Sequence, residues 1–134
     1  MNYLPDTNVC VHYLRNPHSV VAERLMQVAP TDIIMCDIVV AELLYGAHKS
    51  AQVDMNIKHV SKFCALFKSL PFDTKSAVVY GRVRKELDLN GTPIGANDLL
   101  IASIALANDL TLITHNVREF SRFPGLRFAD WEDS

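Results

Sequence analysis

The chain has 134 residues, 49% hydrophobic and 21% charged, with 13 basic and 15 acidic side chains and a net charge of −2. That length suits one domain over residues 1–134 that needs no disulfide or metal staple, and the composition excludes disordered and collagen-like chains. The near-balance of charge excludes a strongly basic nucleic-acid coat protein, but not an enzyme with a local basic rim.

The elements follow from periodicity and punctuation. Residues 3–6 read as a short strand, and 10–15 as a helical turn closed by Asn16-Pro17. Ser19 caps a helix over 20–28, and 33–36 is a buried apolar strand. Asp37 caps a strongly apolar helix over 38–48. Val53, Ile57, Val60, Cys64 and Phe67 then recur at helical spacing. Residues 70–72 form a third strand. Asp73 caps a helix that Asn90-Gly91 stops. After a loop over 92–95, Asn97 caps an apolar helix over 98–107. Residues 111–114 and 126–128 read as strands, flanking a short helix near 117–121 and a Pro124-Gly125 turn. Apolar strands alternating with helices predict a three-layer α/β/α domain with a mostly parallel sheet of four to five strands. Sites in such sheets lie beyond the carboxyl ends of the strands.

No apolar run approaches the roughly 18 residues of a membrane span. The amino terminus lacks the basic and apolar regions of a signal peptide. Cys10, Cys36 and Cys64 form no C-x-x-C pair, which argues against a disulfide framework or zinc knuckle and fits a reducing cytoplasm.

Some acids occupy apolar places. Glu42 is the only charge in 38–48, with Ile38, Val39, Tyr45 and Gly46 on its face. It is either a snorkelling or arginine-paired side chain, or a ligand. Asp98 opens an apolar helix, where it either complements the helix dipole or serves a site. Asp6 ends the first strand, as a turn residue or a ligand. Thr114 and Asn116 at the end of a later strand offer oxygens, and Glu119 either joins them or pairs with Arg122. Carboxylates gathered at one edge repel unless a cation joins them, and an all-oxygen set favours Mg²⁺ or Mn²⁺ over zinc. Gly-rich phosphate loops, dinucleotide fingerprints and G-x-S-x-G elbows are absent. Cys36 reads as core, and His115 as surface.

The blocks LPDTNVCVHYLR, VVAELLYGAHKS, GTPIGANDLLIASIALA and LITHNVREFSRFPGLRFADW resemble the PIN domain, and more closely the VapC-type toxins of bacterial toxin–antitoxin pairs. The likeness runs from Asp6 to Trp131. It implies a Mg²⁺-dependent endoribonuclease (Mn²⁺ being an alternative) that inhibits translation. Asp6, Glu42 and Asp98 match the family's metal-holding acids, and Asn116 and Glu119 match its secondary positions. Thr7, Asn8 and Thr114 are supporting residues of the same blocks. The implied chemistry is water attack on an RNA phosphodiester, leaving 5′-phosphate and 3′-hydroxyl ends. Arg82, Arg84 and Arg118, with Lys85 and Arg122, are candidate RNA contacts, or else solvated helix faces. The implied partners are RNA, a cognate antitoxin and a second copy of the chain, in a homodimer or a heterotetramer or larger.

Pro5 departs from the family's usual apolar residue before D-T-N. It is a tolerated strand end, a bulge that re-aims Asp6, or an inactivating change. Two other functions compete: a PIN-like module that binds antitoxin or RNA without catalysis, and a Mg²⁺ phosphatase or DNA nuclease on the same site.

Overall fold

The computed structural model describes residues 1–132. In chain order the elements are β1 (Tyr3–Pro5), α1 (Thr7–Arg15), α2 (Val20–Gln27), β2 (Ile34–Cys36), α3 (Asp37–His48), α4 (Val53–Cys64), β3 (Lys68–Leu70), α5 (Thr74–Asn90), α6 (Ala96–Ala107), β4 (Thr111–Ile113), α7 (Val117–Phe120) and β5 (Phe128–Ala129). A single 3₁₀ turn, Pro30–Asp32, precedes β2.

Every strand pairing among the described residues is parallel. β1 pairs with β4, β4 with β5, and β2 with β3. A parallel bridge between Tyr3 and Ile33 joins the two groups, so the order across the sheet is β3-β2-β1-β4-β5. All three residues of β2 and of β4 are buried. Successive strand residues point to opposite faces, so both faces must be covered, which is the expected three-layer arrangement. The core runs from Leu4, Ile33, Met35 and Leu112 in the sheet to Val39, Val83, Ile101 and Ile104 on the helices.

The punctuation works through identifiable bonds. The Ser19 hydroxyl accepts from Ala22 N–H at 3.2 Å, and the Asp73 carboxylate accepts from Ser76 N–H at 3.1 Å. Gly91 adopts the left-handed φ of 65°, which lets Thr92 N–H reach back to the Leu87 carbonyl at 3.0 Å and end α5. Some expected boundaries moved. The first helix begins at Thr7 rather than at residue 10, because Asp6 itself is its cap. Asp37 is the first residue of α3 rather than its cap. Gly95, not Asn97, occupies the cap position of α6, which frees the Asn97 side chain for other use. The third strand is Lys68–Leu70 rather than 70–72, since its register against Ile34–Cys36 is set by pairing. The last strand is Phe128–Ala129 rather than 126–128, for the same reason against β4.

Pro5 fits without a bulge. The register Tyr3–Thr111, Leu4–Leu112, Pro5–Ile113 is continuous. Asp6 N–H donates to the Ile113 carbonyl at 2.9 Å, and Thr111 N–H donates to the Asn2 carbonyl at 3.0 Å. The even-numbered residues of this strand therefore face β4, and alternation turns the Pro5 nitrogen toward β2. On that side the one backbone bridge among the described residues is at Tyr3, so the missing N–H breaks no ladder beside Asp6. We expect Pro5→Leu to change any activity that depends on Asp6 by no more than about twofold. A tenfold gain in a side-by-side metal titration would show instead that the proline damages the site.

Candidate metal centre

The chain leaves β1 toward β2 and β3, then crosses back to β4 on the other flank of β1. Loops leaving β1 and β4 thus diverge and open a crevice at the carboxyl edge, where such sheets place ligands. Asp6 follows β1 and Thr114 follows β4, and both are buried.

Asp6 is only 4% exposed. One carboxylate oxygen caps α1 by accepting from Val9 N–H at 2.9 Å. Burial raises its proton affinity above the ordinary carboxylate value. Hydrogen bonds from Thr114 and Val9 oppose that rise, while the charges of Glu132 and Glu42 add to it. Capping and site duty therefore coincide in one side chain.

Glu42 projects from the middle of α3 and is half-buried. Thr7 donates its hydroxyl to Oε1, and Asn97 donates its amide to Oε2 at 3.2 Å. Neither oxygen is matched to an arginine; they are aimed by one residue from α1 and one from α6. Asp98 lies in the first turn of α6. Its carboxyl is pushed up to about 7, by burial first, then by the charge of Glu119, then by Asp6, a hydrogen bond with Glu119, and Glu42.

Glu119 resolves the choice left open by its spacing to Arg122. Its Oε1 accepts from Gly95 N–H at 2.8 Å and its Oε2 from the Asn116 amide. Arg122 instead donates to the Pro93 carbonyl at 2.8 Å, bracing the loop before α6. A Cβ at Gly95 would stand 3.4 Å from Glu119 Oε1 and 3.6 Å from Asp98 Oδ2, in ordinary van der Waals contact with both. Asn116 N–H donates to the Thr114 hydroxyl at 3.0 Å, which ties this turn to Asp6. Because Glu119 is the largest charged contributor to the Asp98 shift, Glu119→Gln should move the Asp98 titration below about 7. Carboxyl ¹³C shifts in metal-free protein read this directly, and an unmoved midpoint contradicts the coupling.

Asp6, Glu42, Asp98 and Glu119, with Thr114, Thr7 and Asn116, thus form one connected network. Its candidate ligand atoms are all oxygen, and burial and neighbouring carboxylates make the anions of Asp6 and Asp98 costly. Both features suit a hard divalent cation, which relieves the repulsion.

Other expected residues lie elsewhere. Asn8 is exposed and lines a shallow groove with Val11, His12, Arg15 and Asn16 on α1. Arg82 and Arg84 are about 200° apart around α5 and cannot serve one surface together. Arg84 donates to the Tyr80 hydroxyl at 2.7 Å and lines a cavity with Pro93, Ile94, Ala96 and Leu99, beside the start of α6. Arg118 is exposed on the turn between Asn116 and Glu119. Cys10 and Cys36 are buried free thiols, and burial pushes Cys36 up to about 11, as a core residue rather than a nucleophile.

Sequence reasoning missed Asn97 and Gly95. The pairing of Gly95 with Asp98 in the block GTPIGAND was visible, but nothing local signals an amide that reaches α3. It also missed that His115, though exposed, sits at 3.0 Å from Asp130.

An all-parallel α/β domain with crowded carboxylates at its switch point belongs to the class that binds a divalent cation for phosphate chemistry. Residues 3–126 match the family model for the PIN domain. The chain is 38% identical to ribonuclease VapC2 of Rickettsia felis, covering 98% of this chain and 99% of that one. It is 35% identical to the tRNA(fMet)-specific endonuclease VapC of Salmonella typhimurium, covering 98% of each. The crystal structure of Rickettsia felis VapBC2 bound to a promoter DNA fragment superposes with a TM-score of 0.91, at 38% identity over 98% of this chain and 99% of that one. The chain belongs to the PIN-domain family.

Proposed function

We propose that the chain is a metal-dependent endoribonuclease and the toxin half of a bacterial toxin–antitoxin pair. The observation that carries this reading is the crowding around Asp98, whose carboxyl titrates near neutrality because burial and neighbouring acids oppose its charge. Asp6, Glu42 and Asp98 would hold the cation, Mg²⁺ first and Mn²⁺ as an alternative. When bound, the cation supplies polarisation of a phosphate oxygen and a more acidic water.

The chain's own groups prepare the site. Thr7 and Asn97 aim the two oxygens of Glu42. Val9 N–H and the Thr114 hydroxyl fix Asp6. Gly95 N–H and Asn116 hold Glu119 against Asp98, whose carboxyl that neighbouring charge helps push up to about 7. Arg118, and Arg84 from the far side of α6, would offset the repulsion between an acidic site and an RNA backbone. Arg82 is assigned no part in this.

A groove of about 280 Å³ between α1, α3 and α4 is lined by Val11, Leu14, Leu43 and Val60 together with Arg15, Lys49 and Glu42. An antitoxin segment laid in it would cover Glu42. Among the described residues no helix is long and apolar enough to cross a membrane.

The test is cleavage of a tRNA pool at millimolar Mg²⁺, with single-stranded DNA and a phosphomonoester as comparators. Cleavage of RNA alone, ended by chelator, is the expected result. Binding of RNA without any cleavage would favour the non-catalytic module, and hydrolysis of the comparators at equal rate the phosphatase or DNA nuclease.

A further inference from the structure

The carboxyl-terminal segment carries a second constellation, beside the acid network and in charge contact with it through Glu132 and Asp6. After β5 the chain turns back through Asp130, Trp131 and Glu132. Trp131 packs edge-on against Tyr3 at 5.1 Å between ring centroids, beside a small core of Val9, Val21 and Ile113. Glu132 N–H donates to Asp130 Oδ1 at 2.9 Å, which closes the turn. This places Asp130 Oδ2 at 3.0 Å and Glu132 Oε2 at 3.3 Å from His115 Nδ1. One ligand atom from each of the three lies within 4.8 Å of the others. The other oxygen of Glu132 sits 3.0 Å from His12 Nδ1 on α1.

We propose that His115, Asp130 and Glu132 form a binding site for a divalent transition ion of the zinc class. Three observations on the page support it. First, a tetrahedral ion with bonds of about 2.0–2.1 Å to nitrogen and oxygen separates its ligands by about 3.3 Å, and the two measured edges at His115 are 3.0 and 3.3 Å. The two edges at His115 are close to that spacing, and the third lies within 4.8 Å. Second, one imidazole and two carboxylates make a mixed nitrogen–oxygen set, which selects zinc-like ions where the all-oxygen network around Asp98 selects hard ones. Third, His12 holds the outer oxygen of Glu132, an arrangement that orients a ligating carboxylate.

Binding is balanced simply. Asp130 and Glu132 bind as carboxylates, any proton on His115 Nδ1 leaves to solvent, and water fills the fourth position. The consequence is mechanical and electrostatic. An ion here ties the carboxyl-terminal segment to the turn after β4 and, through His12, to α1. It also screens the charge of Glu132 from Asp6.

The test is calorimetric titration of Zn²⁺ into the full chain, stripped of metal and then held in millimolar Mg²⁺ so that the hard ion competes at the acid network. We expect one Zn²⁺ per chain, with His115→Asn and Glu132→Gln each weakening it by at least about tenfold and Asp98→Asn leaving it in place. A circular-dichroism melt of each variant confirms that the exposed His115 is not needed for folding. The proposal is overturned if no Zn²⁺ binds, if His115→Asn binds it as the parent does, or if Asp98→Asn abolishes binding. Failure of RNA cleavage would leave this result untouched, because the readout is metal occupancy.

Discussion

Asp98→Asn should lower kcat/KM for RNA cleavage by at least about 10³-fold while the folded protein remains as stable as the parent or becomes more so. The two halves of this result have one cause. Asp98 is pushed up to about 7 because burial and the charges of Glu119, Asp6 and Glu42 make its anion costly. An amide of the same shape keeps the packing on α6 and removes the repulsion. It also removes the charge with which the site would hold a cation. A structural acid behaves in the opposite way, since its loss lowers stability and leaves chemistry alone. Single-turnover cleavage of an end-labelled tRNA, beside a thermal melt in chelator, separates the two. Full activity, or a melt collapsed below that of the parent, would contradict a ligand role.

The second large effect is a link between pH, metal and stability. In the unfolded chain Asp98 takes the ordinary carboxylate value of about 3.9. In the folded, metal-free chain it rises to about 7, and Asp6 is raised as well. Between these values the folded state keeps a proton that the unfolded state has shed. Stability therefore falls as pH climbs through this window, and the loss is complete above about 7. Below about 4 both states are protonated and the effect vanishes. Divalent cation binds the charged form, so Mg²⁺ should raise Tm by about 4 °C or more at pH 8 and hardly at all at pH 5. Asp98→Asn should flatten both the pH slope and the Mg²⁺ response. A Mg²⁺-induced rise that is equal at the two pH values, or that survives in Asp98→Asn, would sink the linkage.

Much of this was legible in one dimension. Glu42 stands alone in an apolar helix and Asp98 opens another, and neither placement is economical for a solvated acid. Ser19, Asp73 and Gly91 act within a turn of their own position, so local chemistry suffices to read them. The short strands were harder. Three residues hold too little periodicity to set their own ends, and the pairing partner decided that the third strand is Lys68–Leu70.

Side chains that reach across elements were not legible. Asn97 was read as a cap because its type and position allow that, but Gly95 takes the cap position and the Asn97 amide crosses to Glu42. Glu119 had a plausible arginine one turn away, yet its oxygens go to Gly95 and Asn116 because the loop before α6 passes within reach. The residue type at Pro5 allows a tolerated strand end, a bulge or a damaged site beside Asp6. Only the alternation of the strand, with β4 on one side and a single bridge on the other, shows which way its nitrogen faces.

By itself the sequence determined which residues are costly where they stand, which segments are helical, and the parallel α/β plan that puts sites at the carboxyl edge. The tertiary structure alone decided that Asp6, Glu42, Asp98 and Glu119 interact at one edge, and that His115 meets Asp130 and Glu132 beside them. The physical reason is range. Propensity, capping and hydrophobic period act over a few residues, while charge repulsion and ligand geometry act between atoms that the crossover from β3 to β4 brings together.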